Sequence, residues 1–446
     1  MPFHLVIHSL RTWFNGQLQP ATVFIKNGVI HSIEKGKATS PNWLLEDVGE
    51  AILMPGLIDP HVHVNEPGRA GWEGFDTATK AAAAGGITTL VDMPLNSSPV
   101  TTTVENFQKK LSAAKGKLHV NCGFWGGIVP ENANKMEALL QSGILGIKAF
   151  LTHSGIEEFP NVTKSDLRKG MAAIAASGMP LLVHCELASG VTVASAEPSS
   201  YQHYLQSRPK KWENDAVTLM IRLCREFNCR THIVHLSSAE AVPMIIDAKK
   251  EGLPLTAETC PQYLYFNAEN IPDGDTRFKC APPIREKENN DQLWEALRDQ
   301  VIDFIATDHS PAPPALKCLE SGNLEQAWGG ISSLQFLLPI VWTAAQQRNF
   351  TLKNIINWLV EKPAAFTGQK NNKGKIAVGY DADLVVWDPA ESFEIKMEHI
   401  FHRHKITPYL GTRLFGKVKQ TFVGGVKVFD NDKIVNNNCG KLILKN

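Results

Sequence analysis

Eight short apolar runs, each followed by a stretch patterned like a helix, constrain this chain more than any other feature. The runs are GLIDPHVHV (56–64), ITTLVDMP (87–94), LHVNCGFWGG (118–127), GIKAFL (146–151), PLLVHCE (180–186), CRTHIVHLS (229–237), LPLTAETCP (253–261) and DFIATDHSP (303–311). Among the pieces between them are FDTATKAAAAGG, TVENFQKKLSAAKG, DLRKGMAAIAASG, AVTLMIRLCREF and SAEAVPMIIDAKKEG. These carry apolar residues at helical spacing, and most end in glycine. Continuous apolar strands alternating with helices read as parallel strands buried on both faces. Eight such units close into a (β/α)8 TIM barrel, an α/β fold; an open doubly wound sheet is the competing arrangement.

The ends of the chain have a different texture. HLVIHSL and ATVFIKNGVIHSIEKG near the start, and GKIAVGYDADLVVWDP and VKQTFVGGVKVFDN near the end, are β-branched runs with Gly- and Asp-rich turns. The two ends are expected to pair into one small β-sandwich. That gives residues 1–52 as its N-terminal part, 53–374 as the barrel and 375–446 as its C-terminal part. No repeat of fixed period and no low-complexity segment interrupts this plan.

A barrel of this kind carries its active site at the C-terminal ends of the strands. The polar residues at those ends are therefore informative. The first run ends in His61 and His63, the fourth carries Lys148, the fifth ends in His184, the sixth in His235 and the eighth in Asp308. A lone histidine at a strand end is usually a hydrogen-bonded core residue, and a lone aspartate caps a helix. Six such groups on five strand ends point instead to one shared site. Residues i and i+2 of a strand share a face, so His61 and His63 both point into the barrel mouth. Imidazole and carboxylate suit zinc and similar divalent ions; manganese, cobalt and iron tolerate the same ligands. Four histidines, an aspartate and a lysine are too many for one tetrahedral ion and suit two. An ammonium cannot ligate. Two nearby cations depress its pKa, and the neutral amine can add carbon dioxide to give a carbamate, which would bridge both metals as N6-carboxylysine at Lys148.

Charge and cysteine content exclude several other classes. Lysine plus arginine and aspartate plus glutamate number 45 each, and no basic run stands out, so a nucleic-acid footprint is absent. No apolar stretch is long enough to span a membrane, and the N-terminus reads as a strand rather than a signal peptide. The eight cysteines form no C-x-x-C pair and are expected to be reduced, which suits a cytoplasmic enzyme. The glycosylation-type triplets at Asn96 and Asn161 are taken as chance.

These residues resemble the amidohydrolase superfamily, and within it the cyclic-amidase branch of dihydroorotases, hydantoinases and allantoinases. The likeness covers nearly the whole chain. HVNEPGRAGWEGF, AAAAGGITTLVDMPLNSSPVT, KAFLTHSGIEEFP, KCAPPIR, ATDHSP, AWGGISSLQ and HRHKITPYLG are most similar to the allantoinases. The resemblance implies one metal on His61, His63 and Asp308 and a second on His184 and His235, with carboxylated Lys148 between them. It implies a metal-bridging hydroxide that opens the ring amide of allantoin to allantoate in ureide catabolism, with Asp308 as general base and then acid. A homotetramer and a small-molecule ureide substrate are implied too. Asn65 stands where dihydroorotases carry an arginine for a substrate carboxylate, which favours an uncharged substrate; Arg69 is read as a structural contact. Asn96, Ala281 (where serine is more usual), Gly329 and Gly330 are the other expected substrate contacts. His153, His232 and His309 lie near these residues in sequence and are not assigned as ligands. Relatives of the branch that act as scaffolds lack metal ligands, and none is missing here.

Overall fold

The computed structural model describes residues 4–41, 43–189 and 197–445. The eight runs become strands β1 (Leu57–Val62), β2 (Ile87–Asp92), β3 (Asn121–Phe124, continued by Gly126–Gly127), β4 (Ile147–Phe150), β5 (Leu181–His184), β6 (Thr231–Ile233), β7 (Leu255–Thr259) and β8 (Phe304–Ile305). Neighbouring strands pair in parallel from β1 round to β8. The ring closes just beyond β8. There His309 pairs in parallel with Val62, and the His63 amide donates to the His309 carbonyl at 2.8 Å. An open sheet would leave β1 and β8 as free edges, and neither is free.

Local sequence explains where the outer helices start and stop. The helix Lys164–Ser177 begins at Thr163, whose hydroxyl and the Asp166 carboxylate cap each other's backbone, and it ends at Gly178 with φ of 66°. The helix Phe75–Ala84 is alanine-rich on its buried face and stops at Gly85. A Cβ at Gly85 would lie 2.6 Å from the Gln335 carbonyl oxygen, so only glycine lets the two segments touch. Val91, Trp125, Leu182, Phe304 and Phe366 belong to one buried apolar cluster drawn from several strands. No helix among the described residues is long and apolar enough to cross a membrane. All eight cysteines are free thiols.

Both ends of the chain meet in a nine-stranded sheet. His4–Phe14 pairs antiparallel with Gln17–Lys26 and parallel with Ile52–Pro55, which in turn pairs antiparallel with Leu384–Glu394. Arg413–Val423 and Val426–Asp430 complete that side. Ile52–Pro55 is separated from β1 by one residue, so this sheet is tied directly to the strand that carries the two histidines. The last residues leave the sheet and lie along β3. The Cys122 amide donates to Lys441 at 2.9 Å, and the Ile443 amide donates to Cys122 at 2.8 Å.

Candidate metal centre

Two buried carboxylates set the end of β1 before any ligand is considered. Asp92, at the end of β2, accepts from the Val64 amide at 2.9 Å and from Lys110 at 2.5 Å. Asp59 accepts from the amides of His61 (3.1 Å) and Thr307 (3.3 Å) and from the Thr307 hydroxyl (2.5 Å), which ties β1 to β8. Burial pushes the Asp59 carboxyl up to about 6, against the pull of those donors. His235 and Asp308 follow their strands with φ of 39° and 47°. Left-handed backbone at non-glycine residues costs energy, and here it turns each side chain off its strand into the mouth.

The six expected groups converge. His61 Nε2 and His63 Nε2 lie 3.2 and 3.3 Å from the same oxygen, Asp308 Oδ1. Ligands about 2.0–2.1 Å from a tetrahedral zinc ion are about 3.3 Å apart, so this spacing fits one ion. Among the described residues these three are the one set of such donors whose ligand atoms all lie within 4.8 Å of one another. His184 Nδ1 and His235 Nε2 face each other at 2.9 Å, and the His61 and His235 rings are 5.5 Å apart between centroids. Lys148 is fully buried, its Nζ has no hydrogen-bond partner, and it stands 5.0 Å over the Phe150 ring. An orphaned buried amine is costly, and its burial pushes the group down to about 8 although Asp308 and Glu258 oppose this. The donors His61, His63 and Asp308 therefore fit one divalent ion, and Lys148 is the orphaned amine of the same mouth.

The protonation states of His63, His235 and Asp308 agree with metal ligation, while an ion at His61 would have to displace a proton. Burial pushes His63 down to about 4 and His235 well below the ordinary histidine range, leaving neutral rings, the form that ligates. Burial works against ionising Asp308, but the His61 and His63 rings outweigh it and hold the carboxyl well below the usual range. Burial would also lower His61, yet Glu258 and Asp308 overcome it and push the ring up to about 9.

Sequence reasoning missed the groups that orient the ligands. Glu258, on β7, accepts from His61 Nδ1, from His232 Nε2 at 3.1 Å and from the His235 amide at 3.3 Å. One buried carboxylate thus serves residues of both proposed metal positions, and it explains why His232 faces away from them. Glu186 accepts from His184 Nε2 at 2.8 Å and takes a two-pronged contact from Arg208 at 3.1 and 2.5 Å. Such partners fix the tautomer and orientation of a ligating imidazole. Both had a signal. Glu258 is the lone acid in an otherwise uncharged strand, and Glu186 repeats the i, i+2 spacing of the histidine pair.

The centre opens into a cleft of about 550 Å³. Asn96, Ala281, Gly329 and Gly330 line it, with His153 at its rim paired to Glu157 at 3.3 Å. Asn96 Nδ2 is 3.3 Å from His63 Nδ1. Asn65 is different: it is fully buried behind the wall and donates to the Pro311 carbonyl at 3.3 Å. Arg69 pairs with Glu158 at 2.6 Å and reaches the Ser97 carbonyl, away from the cleft. His309 also lies behind, its Nδ1 accepting from the Ser333 amide at 3.2 Å.

The wall at Trp328–Gly330 has a definite orientation. Trp328 donates its amide to Leu316 (2.7 Å), and Gly330 donates its amide to Lys279 (2.8 Å). The carbonyls of both accept from Lys317 Nζ, at 3.0 and 2.9 Å. Residues 328 and 330 therefore turn their polar groups to the back. A trans peptide sets its N–H opposite its C=O, so the Gly329 N–H points away from Lys317 and the Gly329 C=O away from the Lys279 carbonyl, and Gly329 itself lines the cleft. A Cβ at Gly330 would sit 2.2 Å from the Ser310 carbonyl oxygen, so the approach of this strip to the β8 loop requires glycine.

Comparison with known proteins agrees with the geometry. The chain is 47% identical to a protein named probable allantoinase from Oryza sativa subsp. japonica, over 99% of this chain and 91% of that one. It is 45% identical to the allantoinase of Arabidopsis thaliana, again over 99% of this chain and 91% of the relative. Among solved structures, the L-hydantoinase (dihydropyrimidinase) of Arthrobacter aurescens superposes with a TM-score of 0.91 at 28% identity, covering 99% of this chain and 100% of that one. A family profile described as "Amidohydrolase family" matches residues 52–428. The chain belongs to the amidohydrolase family.

Proposed function

We propose that the protein hydrolyses the ring amide of allantoin to give allantoate, a step of ureide catabolism. The observation that carries this is the convergence of His61, His63, Lys148, His184, His235 and Asp308 at one barrel mouth, in a chain similar over almost its full length to allantoinases. His61, His63 and Asp308 would hold one divalent ion, His184 and His235 a second, and Lys148 would join them as its carbamate. When bound, the pair of ions, zinc or a related metal, supplies an activated water and polarises the amide carbonyl.

The chain's own groups do the rest. Asp308, whose Oδ1 faces the two imidazoles, receives the proton of the attacking water on its other carboxylate oxygen and returns it to the leaving ring nitrogen. Asn96, Ala281 and the Gly329 peptide edge orient the ring, Gly330 lets this strip close on the β8 loop, and Asn65 supports the wall from behind. The cationic side chains on the cleft are already engaged: Arg208 by Glu186, and Lys279 by the carbonyls of Glu325 and Ala327 at 3.0 and 2.6 Å. That suits a substrate without a carboxylate. The test is a panel of allantoin, dihydroorotate, dihydrouracil and hydantoin on protein loaded with zinc, cobalt or manganese and bicarbonate. The highest kcat/KM is expected for allantoin. Preference for dihydroorotate would overturn the substrate assignment, and inactivity on all four would overturn the enzymatic reading.

A further inference from the structure

Lys317 has no role in the chemistry above, yet it is an almost fully buried amine whose hydrogen bonds go to backbone carbonyls of the cleft wall. Burying a lysine without a carboxylate on its Nζ is costly, and such a residue persists where it serves something specific. Burial, only partly offset by Cys280, pushes it down to about 7. Its position identifies what it serves. The Trp328 carbonyl and the Gly329 N–H belong to one peptide unit. The Gly329 carbonyl and the Gly330 N–H belong to the next. Lys317 donates to the first unit from behind, and the Lys279 carbonyl accepts from the second.

We propose that Lys317 is a positioning residue for substrate: it holds the Gly329 N–H and C=O toward the cleft as a paired donor and acceptor and polarises that donor. A hydrogen bond accepted at one end of a peptide unit strengthens the donor at its other end. The paired edge matches the adjacent N–H and C=O of a cyclic amide. The inference rests on the reading of the cleft as a cyclic-amide site. It adds a residue outside the cleft that acts through the backbone.

The experiment compares wild type with Lys317→Met on the best cyclic amide of the panel and on its analogues methylated at each ring nitrogen in turn. Unfolding temperature and metal content are recorded alongside. Methionine preserves the bulk and removes the donor. On the parent substrate kcat/KM should fall about tenfold, the scale of one hydrogen bond, and mainly through KM. The analogue whose methyl group blocks the Gly329 contact should lose far less on the same substitution. Lys317→Gln, which keeps an N–H donor, should show the same asymmetry at smaller size and serves if the methionine variant does not fold. Equal losses on the parent and every methylated analogue would overturn the proposal, since a purely structural role predicts that. A wild type silent on all cyclic amides would overturn both this reading and the function it rests on.

Discussion

Glu258→Gln should weaken the first metal position about tenfold without unfolding the barrel. Glu258 accepts from His61 Nδ1 and His232 Nε2, and its own exposure is nil. With Nδ1 protonated toward Glu258, the His61 Nε2 lone pair is free to ligate, and the adjacent negative charge makes it a stronger donor to the ion. Glutamine keeps the shape and one carbonyl acceptor but no charge. A hydrogen bond to a charged group contributes about 1.5–3 kcal/mol and a neutral one about 0.5–1.5, so the exchange costs roughly 1–1.5 kcal/mol at His61. That is about tenfold in affinity, the lower end of the 10–100-fold usual for such outer partners. The assay is a chelator-buffered zinc titration of the reconstituted apoprotein, with circular dichroism to show that the fold is kept. Affinity within twofold of wild type for both ions would refute the argument that Glu258 acts through His61. Glu258→Ala is the harsher comparison. It leaves two ring N–H groups buried without a partner, and it should lower stability as well as metal affinity.

Lys148→Ala should lose metal occupancy and activity, both partly restored by a short carboxylic acid; full activity without added acid would sink the carbamate bridge. Gly330→Ala drives a methyl group against the Ser310 carbonyl oxygen. Since a displacement of about 1 Å can cost about 100-fold, kcat/KM should drop by that order, and an unchanged value would refute the close approach. Glu213 accepts from the amides of Ser237 (2.7 Å) and Ser238 (2.9 Å), and burial pushes its carboxyl up to about 7 although Arg285 opposes this. A raised folded-state value means the folded protein keeps this proton longer than the unfolded chain does. Its contribution is therefore full below the ordinary 4.5 and is lost as pH rises to about 7, by about 3 kcal/mol. Denaturant unfolding should show Glu213→Gln gaining on wild type across that window and running parallel above it; a constant difference across the whole range would count against the assignment.

The barrel was legible because parallel strands buried on both faces write themselves as unbroken apolar runs, and GLIDPHVHV and PLLVHCE carry histidine at their ends. Period-two alternation also placed His61 and His63 on one face. The orienting carboxylates were harder to see. Glu258 lies 197 residues from His61 in sequence, and no local spacing joins them. Asn65 shows the opposite limit. Its position beside His63 suggested a substrate contact, but φ of 67° turns the chain there, and the amide ends up against Pro311. Lys317 was invisible because its partners are carbonyl groups, which every residue has.

Residues 440–443 lie along β3, and the Lys441 amide meets the Asn121 side chain 320 positions earlier at 3.0 Å. On a ribosome, β3 therefore emerges long before the strip that satisfies its edge. Until then the Cys122 amide and carbonyl and the Asn121 side chain lack these partners. Disturbing this strip should therefore loosen β3, whereas the early strand His4–Phe14 is held on both sides by the sheet.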